Sequence, residues 1–414
     1  MSSQNWSKEV LKRRVRFAYG DSLASENRND GDVPVFGSNG VVGAHDRSIT
    51  RAPAIIIGRK GSAGRVTWSH VPCFPIDTTY FVDRTQTREN MRWLFYALES
   101  LELDKINFDS AVPGLSRELA YSLPLVFPPL HEQERIAAYL DKTCAAIDTA
   151  IDKKQKQLET LDALRKSIIH KAVTRGLDDS VELKDSGVEW FDKIPEHWKI
   201  DRLKDVLAAN KDAIKVGPFG SDLLLGDMED EGVKVYTQRT VIDRDFDAGI
   251  HFISLEKYAA MKAFTVYPRD LLITTRGTIG RCAIMPDTAQ LGILHPCLMR
   301  VQTNKARLIP EYLSVLIQDC GLVLRQLQMM SAATTIDVIY SDALKRTYLP
   351  LPPLEEQRTI IDFIDKKMVE IGELFSLIEG QIATLAAYRK SLIHECVTGK
   401  RRITEDDIQR VQQY

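Results

Sequence analysis

The chain has 414 residues and a mass of 46.8 kDa, which suits two or three domains. Hydrophobic residues make up 44% and charged residues 27%, so a disordered chain and a disulfide scaffold are both excluded. Lys+Arg at 55 against Asp+Glu at 57 gives a net charge of −2, which rules out a general cationic glue for nucleic acid but not a local basic face.

No apolar run approaches the ~18 residues of a bilayer span. The opening MSSQNWSKEVLKRR lacks the apolar core of a signal peptide, and the chain is expected in the cytoplasm. The six cysteines form no C-x-x-C pair and do not cluster with histidines at zinc spacing. They are expected as buried free thiols, and no metal site is expected.

In chain order, 1–127 reads as a first α/β domain. Short apolar runs broken by turns (VPVFGSNGVVG, APAIIIGRKGSAGRVTW, TTYFV) predict strands, and NMRWLFYALESL (90–101) predicts a helix. Two stretches suit nucleic acid. FGSNG (36–40) offers Ser38 and Asn39, with His45 nearby; a side-chain amide can pair with adenine, though Asn-Gly also makes a plain hairpin turn. The turn after IIIG offers Arg59, Lys60, Ser62 and Arg65 among glycines, a pattern that exposes backbone N–H groups to phosphates or base edges.

Residues 128–180 predict a long helix. Pro-Pro and carboxylates open it, no proline interrupts it, and Ile136, Leu140, Ile147, Ile151, Leu158, Leu161, Leu164 and Ile168 make an apolar stripe. Residues 181–351 predict a second α/β domain, with VKVYTQRTV, LLITTRGTIGRCAIM and CLMRVQ as strands and turns and PEYLSVLIQDCGLVLRQL (310–327) as helix. Its matching candidates are Gln238 and Arg239, then Arg276, Thr278 and Arg281; a third loop, KVGPFGSDL (215–223), adds Ser221. Residues 352–400 predict a second long helix, and 401–414 a tail with no counterpart after the first.

The two helical stretches are copies. Residues 128–174 align with 352–398 at an offset of 224 without a gap, and RKSIIH (165–170) returns as RKSLIH (389–394). The second stripe is Ile360, Ile364, Ile371, Phe375, Ile382, Leu385, Tyr388 and Leu392. Some forty helical residues span ~60 Å, more than one small domain covers, so the copies are expected to pair as an antiparallel coiled coil about a pseudo-two-fold axis. The duplication runs on faintly into the heads: IIIGRKGSAGR (55–65) matches LLITTRGTIGR (271–281) at an offset of 216. The predicted fold is therefore α+β, two α/β heads joined by two paired long helices.

No phosphate loop, methyltransferase tetrad, H-E-x-x-H or G-x-S-x-G occurs, and no catalytic residue is expected. The heads carry little net charge, +2 over 1–127 and −2 over 181–351, so a partner is expected to help neutralise phosphates.

PPLHEQERI and PPLEEQRTI, each opening a helix that ends in RKSxIHxxVT, with IPEHWKIDRLKDV (194–206) between them, resemble the specificity subunit of Type I restriction-modification systems. The resemblance covers about 1–400. It implies two target-recognition domains that read the halves of a bipartite, asymmetric site in double-stranded DNA. It implies paired helices that fix the interval between half-sites and dock two modification subunits. Arg165, Lys166, His170, Arg389, Lys390 and His394 are the candidates for that docking. It implies no cofactor in this chain: S-adenosylmethionine belongs to the modification subunit, which methylates adenine, and ATP and Mg to a restriction subunit that can join. The competing expectation is a coiled-coil scaffold whose heads bind protein.

Overall fold

The computed structural model describes residues 6–106, 114–220, 222–249, 251–330 and 338–412. The two long helices run Leu130–Arg175 and Leu354–Thr398. Each stops at a glycine in the left-handed region, Gly176 (φ +76°) and Gly399 (φ +75°), where a Cβ would be strained. The mixed α/β heads and two long helices agree with the predicted fold class.

The chain groups into two units. One holds residues 1–157 and 377–414, the other 158–376, so each long helix begins in one unit and ends in the other.

In the first unit, a four-stranded antiparallel sheet centres on the fully buried strand Ala54–Gly58, flanked by Val66–Ser69 and Thr79–Val82, with Ala18–Tyr19 at its edge. A second sheet joins the hairpin Val33–Gly37 and Gly40–His45 to Phe74–Pro75, the last pairing being parallel. The helix Met91–Ser100, capped by Asn90, packs Trp93, Leu94 and Leu98 into the core. Both long helices reach this core, Leu130–Arg175 with Ile136 and Leu140 and Leu354–Thr398 with Leu392 and Val397. They run antiparallel here: Asp148 pairs with Arg389 at 3.0 Å, and Arg135, nearer the start of the first helix, pairs at 3.5 Å with Glu405, which lies past the C-terminal end of the second. The tail forms the helix Glu405–Gln412, and Ile403 enters the same core.

The second unit repeats this frame. The buried strand Leu271–Thr274 lies between Cys282–Ile284 and Leu298–Val301, with Ile214–Val216 at the edge. Val233–Tyr236 pairs in parallel with Gly292–Leu294. Where the first unit continues into a hairpin, this one turns into the short helix Gln238–Asp243. The 310–327 stretch is not one helix: Pro310–Ser314 widens into a π-turn at Val315–Asp319 and breaks at Gly321 (φ +66°) before Leu322–Met330. Ile169 and Val173 share this core with Ile360 and Ile364. The predicted stripe is thus corrected at its ends. Ile169 rather than Ile168 is buried, and Leu164 and Tyr388 stand about half exposed.

The P-P-L-x-E-Q box has a structural reason in both units. Gln133 and Gln357 are buried at 1% and 0% exposure. Their amide nitrogens donate to the carbonyls of Pro128 (2.8 Å) and Pro352 (3.0 Å) at the helix start. Their amide oxygens accept from the N–H of Asn90 (2.8 Å) and Ile309 (3.0 Å), the residues that cap the neighbouring helices. The glutamate before each accepts an indole N–H: Trp6 donates to Glu132 at 3.1 Å, and Trp198 to Glu356 at 3.0 Å. Buried polar groups must be paired, and each box pairs those of three segments at once.

Candidate nucleic-acid interface

In each unit, the central strand and the edge strand of one sheet and the parallel pair of the other deliver their loops to one end of the sheets. In the first unit these loops follow Tyr19, Gly37, Gly58 and Pro75. In the second they follow Val216, Tyr236, Thr274 and Leu294. Main-chain bonds stitch them together. Ile76 N–H donates to Phe36 (2.9 Å) and Arg59 N–H to Thr78 (2.8 Å); His295 N–H donates to Tyr236 (3.0 Å) and Thr275 N–H to Cys297 (2.9 Å).

The glycine-rich turns correspond residue by residue at the offset of 216. Gly58 N–H donates to Arg65 and Gly64 N–H to Gly58, both at 2.8 Å; Thr274 N–H donates to Arg281 and Gly280 N–H to Thr274, both at 2.9 Å. Gly61 (φ +73°) and Gly64 (φ +84°) match Gly277 (φ +66°) and Gly280 (φ +75°), a left-handed backbone that favours glycine. Lys60 therefore occupies the place of Arg276, Ser62 that of Thr278, and Arg65 that of Arg281. Lys60, Arg276 and Arg281 are exposed and carry no ion pair among the described residues.

The two stretches singled out in each sequence half form one surface. Arg65 donates to the side-chain oxygen of Asn39, and Ser38 packs beside Gly58 and Gly61. Gln238 donates to the carbonyls of Arg276 (3.0 Å) and Thr278 (3.4 Å). Arg239 projects almost wholly into solvent and pairs with Asp243 at 3.0 Å. Arg59 donates to the carbonyl of Asp77 at 2.9 Å and lies 5.2 Å over the Tyr19 ring, with Arg117 also over that ring at 4.7 Å. In the second unit a cleft of about 970 Å³ opens here, lined by Gln238, Arg239, Asp243, His251, Thr278 and His295. Burial, with His251 adding repulsion, holds His295 below the usual histidine range, so it is neutral at pH 7. The cleft offers amide, hydroxyl and guanidinium groups suited to base edges and phosphates.

Some expectations are corrected. His45 is buried at 4% exposure; its Nδ1 accepts from Asn29 N–H (3.1 Å) and its ring packs edge-on to Phe74, so it belongs to the core. Ser221 lies outside the described residues. The matched docking candidates differ between copies. Among the described residues, Arg165 and Lys166 are exposed and pair only with Asp162 on their own helix (3.0 and 2.7 Å). Arg389 is held inside the first unit by Glu99 (2.7 Å) and Asp148, and Lys390 pairs with Glu102, so both anchor the helix. His170 and His394 are exposed. Tyr19, His251, His295 and Phe219 escaped selection. Only Phe219 had a visible signal, an aromatic between Gly-Pro and Gly.

All six cysteines are unpaired, and burial pushes the Cys144 thiol up to about 11 and Cys396 up to about 12. Among the described residues no cluster of His, Cys, Asp and Glu could hold a metal ion, and no helix is long and apolar enough to cross a membrane.

Residues 17–160 and 195–373 match the Type I restriction modification DNA specificity domain. The chain belongs to this family. It is 22% identical over 355 residues to the Type I restriction enzyme EcoBI specificity subunit of Escherichia coli, covering 84% of this chain and 73% of that one. It is also 22% identical to the MjaVIII specificity subunit of Methanocaldococcus jannaschii, covering 75% and 70%. The fold is shared with a chain from a study of assembly and conformational transition in a Type I restriction-modification system, at a TM-score of 0.68, 14% identity and coverage of 97% and 100%. The HsdS subunit from Thermoanaerobacter tengcongensis gives 0.51, at 14% identity and coverage of 96% and 98%. Membership of the specificity-domain family does not favour the protein-binding scaffold.

Proposed function

We propose that this specificity-domain protein reads a bipartite, asymmetric site in duplex DNA, one half-site per unit, and confers that sequence on a DNA adenine methyltransferase. The observation that carries the reading is the repeated loop edge. In both units a rigid glycine turn bearing cations and a hydroxyl is bonded to a second loop bearing a side-chain amide. Cations position a protein on phosphates, while amides and guanidinium forks distinguish bases. The amide-bearing loops differ, a hairpin against a helix, as reading two different half-sites requires.

This chain contributes recognition and no bond chemistry. Two modification subunits dock on the long helices, with the exposed Arg165, Lys166, His170 and His394 at the contact. S-adenosylmethionine is held by those subunits; a restriction subunit, using ATP and Mg, joins the same assembly. The near-neutral heads fit this division, because counterion release then comes largely from the partners. The complex works in the cytoplasm, where its DNA lies.

The test is co-expression with the modification subunit in a host without adenine methylation, followed by methylome sequencing. A single gapped, two-part motif is expected. Methylation at one continuous motif, or none together with no retention of duplex DNA by the complex, overturns the reading.

A further inference from the structure

The two units differ in the loop after the edge strand. Gly20 and Gly217 hold the same place. Gly20 N–H donates to Thr79 (3.1 Å) and Gly217 N–H to Leu298 (2.8 Å), and a Cβ on either would collide with the carbonyl of Ile76 or His295. After that glycine the first unit continues Asp21-Ser22-Leu23, whereas the second inserts Pro218, Phe219 and Gly220 before Ser-Asp-Leu (221–223). Pro218 is buried, and the Phe219 carbonyl accepts from Asp222 N–H at 2.9 Å. The insertion is thus tied on both sides of a phenyl ring that is 80% exposed.

A lone exposed apolar side chain is ordinary on a protein surface. The position of this one is not. Gly217 packs on His295, which lines the cleft with Gln238 and Thr278, so the ring stands at the loop edge that carries Arg276. Leu225 is more exposed still, at 89%, but it sits in the turn Leu225–Asp227, which the Asp227–Lys257 pair (2.9 Å) fastens near the opposite end of the Val233–Tyr236 strand. A short proline-braced loop holds its aromatic with little freedom left to lose on binding.

Resting on the DNA-reading function proposed above, we propose that Phe219 is an apolar wedge that partly unstacks one base step in the half-site read by the second unit. Apolar side chains that minor-groove proteins present to a duplex frequently insert between base steps and kink it, most cheaply at pyrimidine–purine steps. Phe219 then selects sequence through deformability. The first unit, without the insertion, reads its half-site unbent.

The experiment uses the complex with the modification subunit and a duplex carrying the site found by methylome sequencing. 2-Aminopurine is placed in turn at each step of both half-sites, the methylated adenines excepted. Wild type should raise fluorescence at one step of one half-site. Phe219→Ala should abolish that rise, weaken binding about tenfold and relax the methylome preference at that step alone. Phe219→Trp should retain the rise, and Leu225→Ala should change nothing. No rise with bound wild-type complex, or a rise that survives Phe219→Ala, overturns the wedge while the DNA-reading function stands. A relaxed preference for thymine without unstacking overturns it too, in favour of a methyl contact. If the wild-type complex retains no duplex, both fall.

Discussion

The two units share a frame and differ at its reading edge. The frame comprises the buried central strand, the glycine turn, the Trp–Glu contact and the buried Gln that ties a helix start to a neighbouring cap. These recur with distances within a few tenths of an ångström. At the edge, the hairpin that carries Asn39 becomes the helix beginning at Gln238, and a three-residue insertion brings Phe219 forward. The difference separates two kinds of constraint. Positions that satisfy buried polar groups keep their chemistry through duplication, while positions that face solvent are free to diverge.

Substitutions at matched positions sharpen or break this comparison. The largest effect is expected at the second turn glycine. A Cβ at Gly64 strikes the main chain of Leu103 and Asp104, which cannot move aside, whereas at Gly280 it meets the flexible side chain of Leu324 at 2.6 Å. Gly64→Ala should cost about 4 kcal/mol and Gly280→Ala about 2 kcal/mol, read as lost hydrogen-exchange protection in Ala54–Gly58 or Leu271–Thr274. Equal costs would show that the surroundings do not matter.

Gln133→Leu and Gln357→Leu should each cost about 2–3 kcal/mol, because each orphans a buried N–H and at least one main-chain carbonyl. Urea unfolding that spared one variant would end the equivalence of the two boxes. Removing 401–414 strips Ile403, Ile408 and Val411 from the first core and the Arg402 guanidinium from the Trp6 ring (4.0 Å). A loss of about 2 kcal/mol confined to the first unit is expected, checked by exchange in both central strands.

Arg65→Ala and Arg281→Ala should each weaken binding about tenfold, through one half-site only. Competition with duplexes scrambled in either half checks this, and equal weakening on both would make them phosphate contacts. The smallest effect is pH-dependent. The folded His295 binds its proton less readily than the ordinary value of 6.5, so its contribution is complete above 6.5 and lost as pH falls through 6.5 towards the folded value. Protection of Leu298–Val301, taken relative to the intrinsic exchange rate at each pH, should fall on acidification from pH 7.5 to 5.5, and His295→Gln should flatten the change.

Much of the frame was legible because it obeys local rules. The helices announce themselves through prolines, carboxylates and a 3–4 repeat, and the glycine turns through paired spacing. The convergence of the FGSNG and GRKGSAGR loops was not legible, since it depends on strands distant in sequence, Val33–Gly37 and Phe74–Pro75, pairing in parallel. His45 looked like a reader because it follows one; only the strand register shows it turned inward against Phe74. The duplicated Arg-Lys pair suggested one role, but Glu99 and Glu102, which capture Arg389 and Lys390, lie outside the repeat.

The first unit is assembled from both ends of the polypeptide, 1–157 and 377–414, whereas 158–376 is continuous. A ribosome emits the chain from its N-terminus. Leu392, Ile393 and Val397, which complete the first core, emerge only after the whole of 158–376. The unit begun first is therefore finished after the second, and the part of its core that Leu392, Ile393 and Val397 fill stays open while 158–376 is being made.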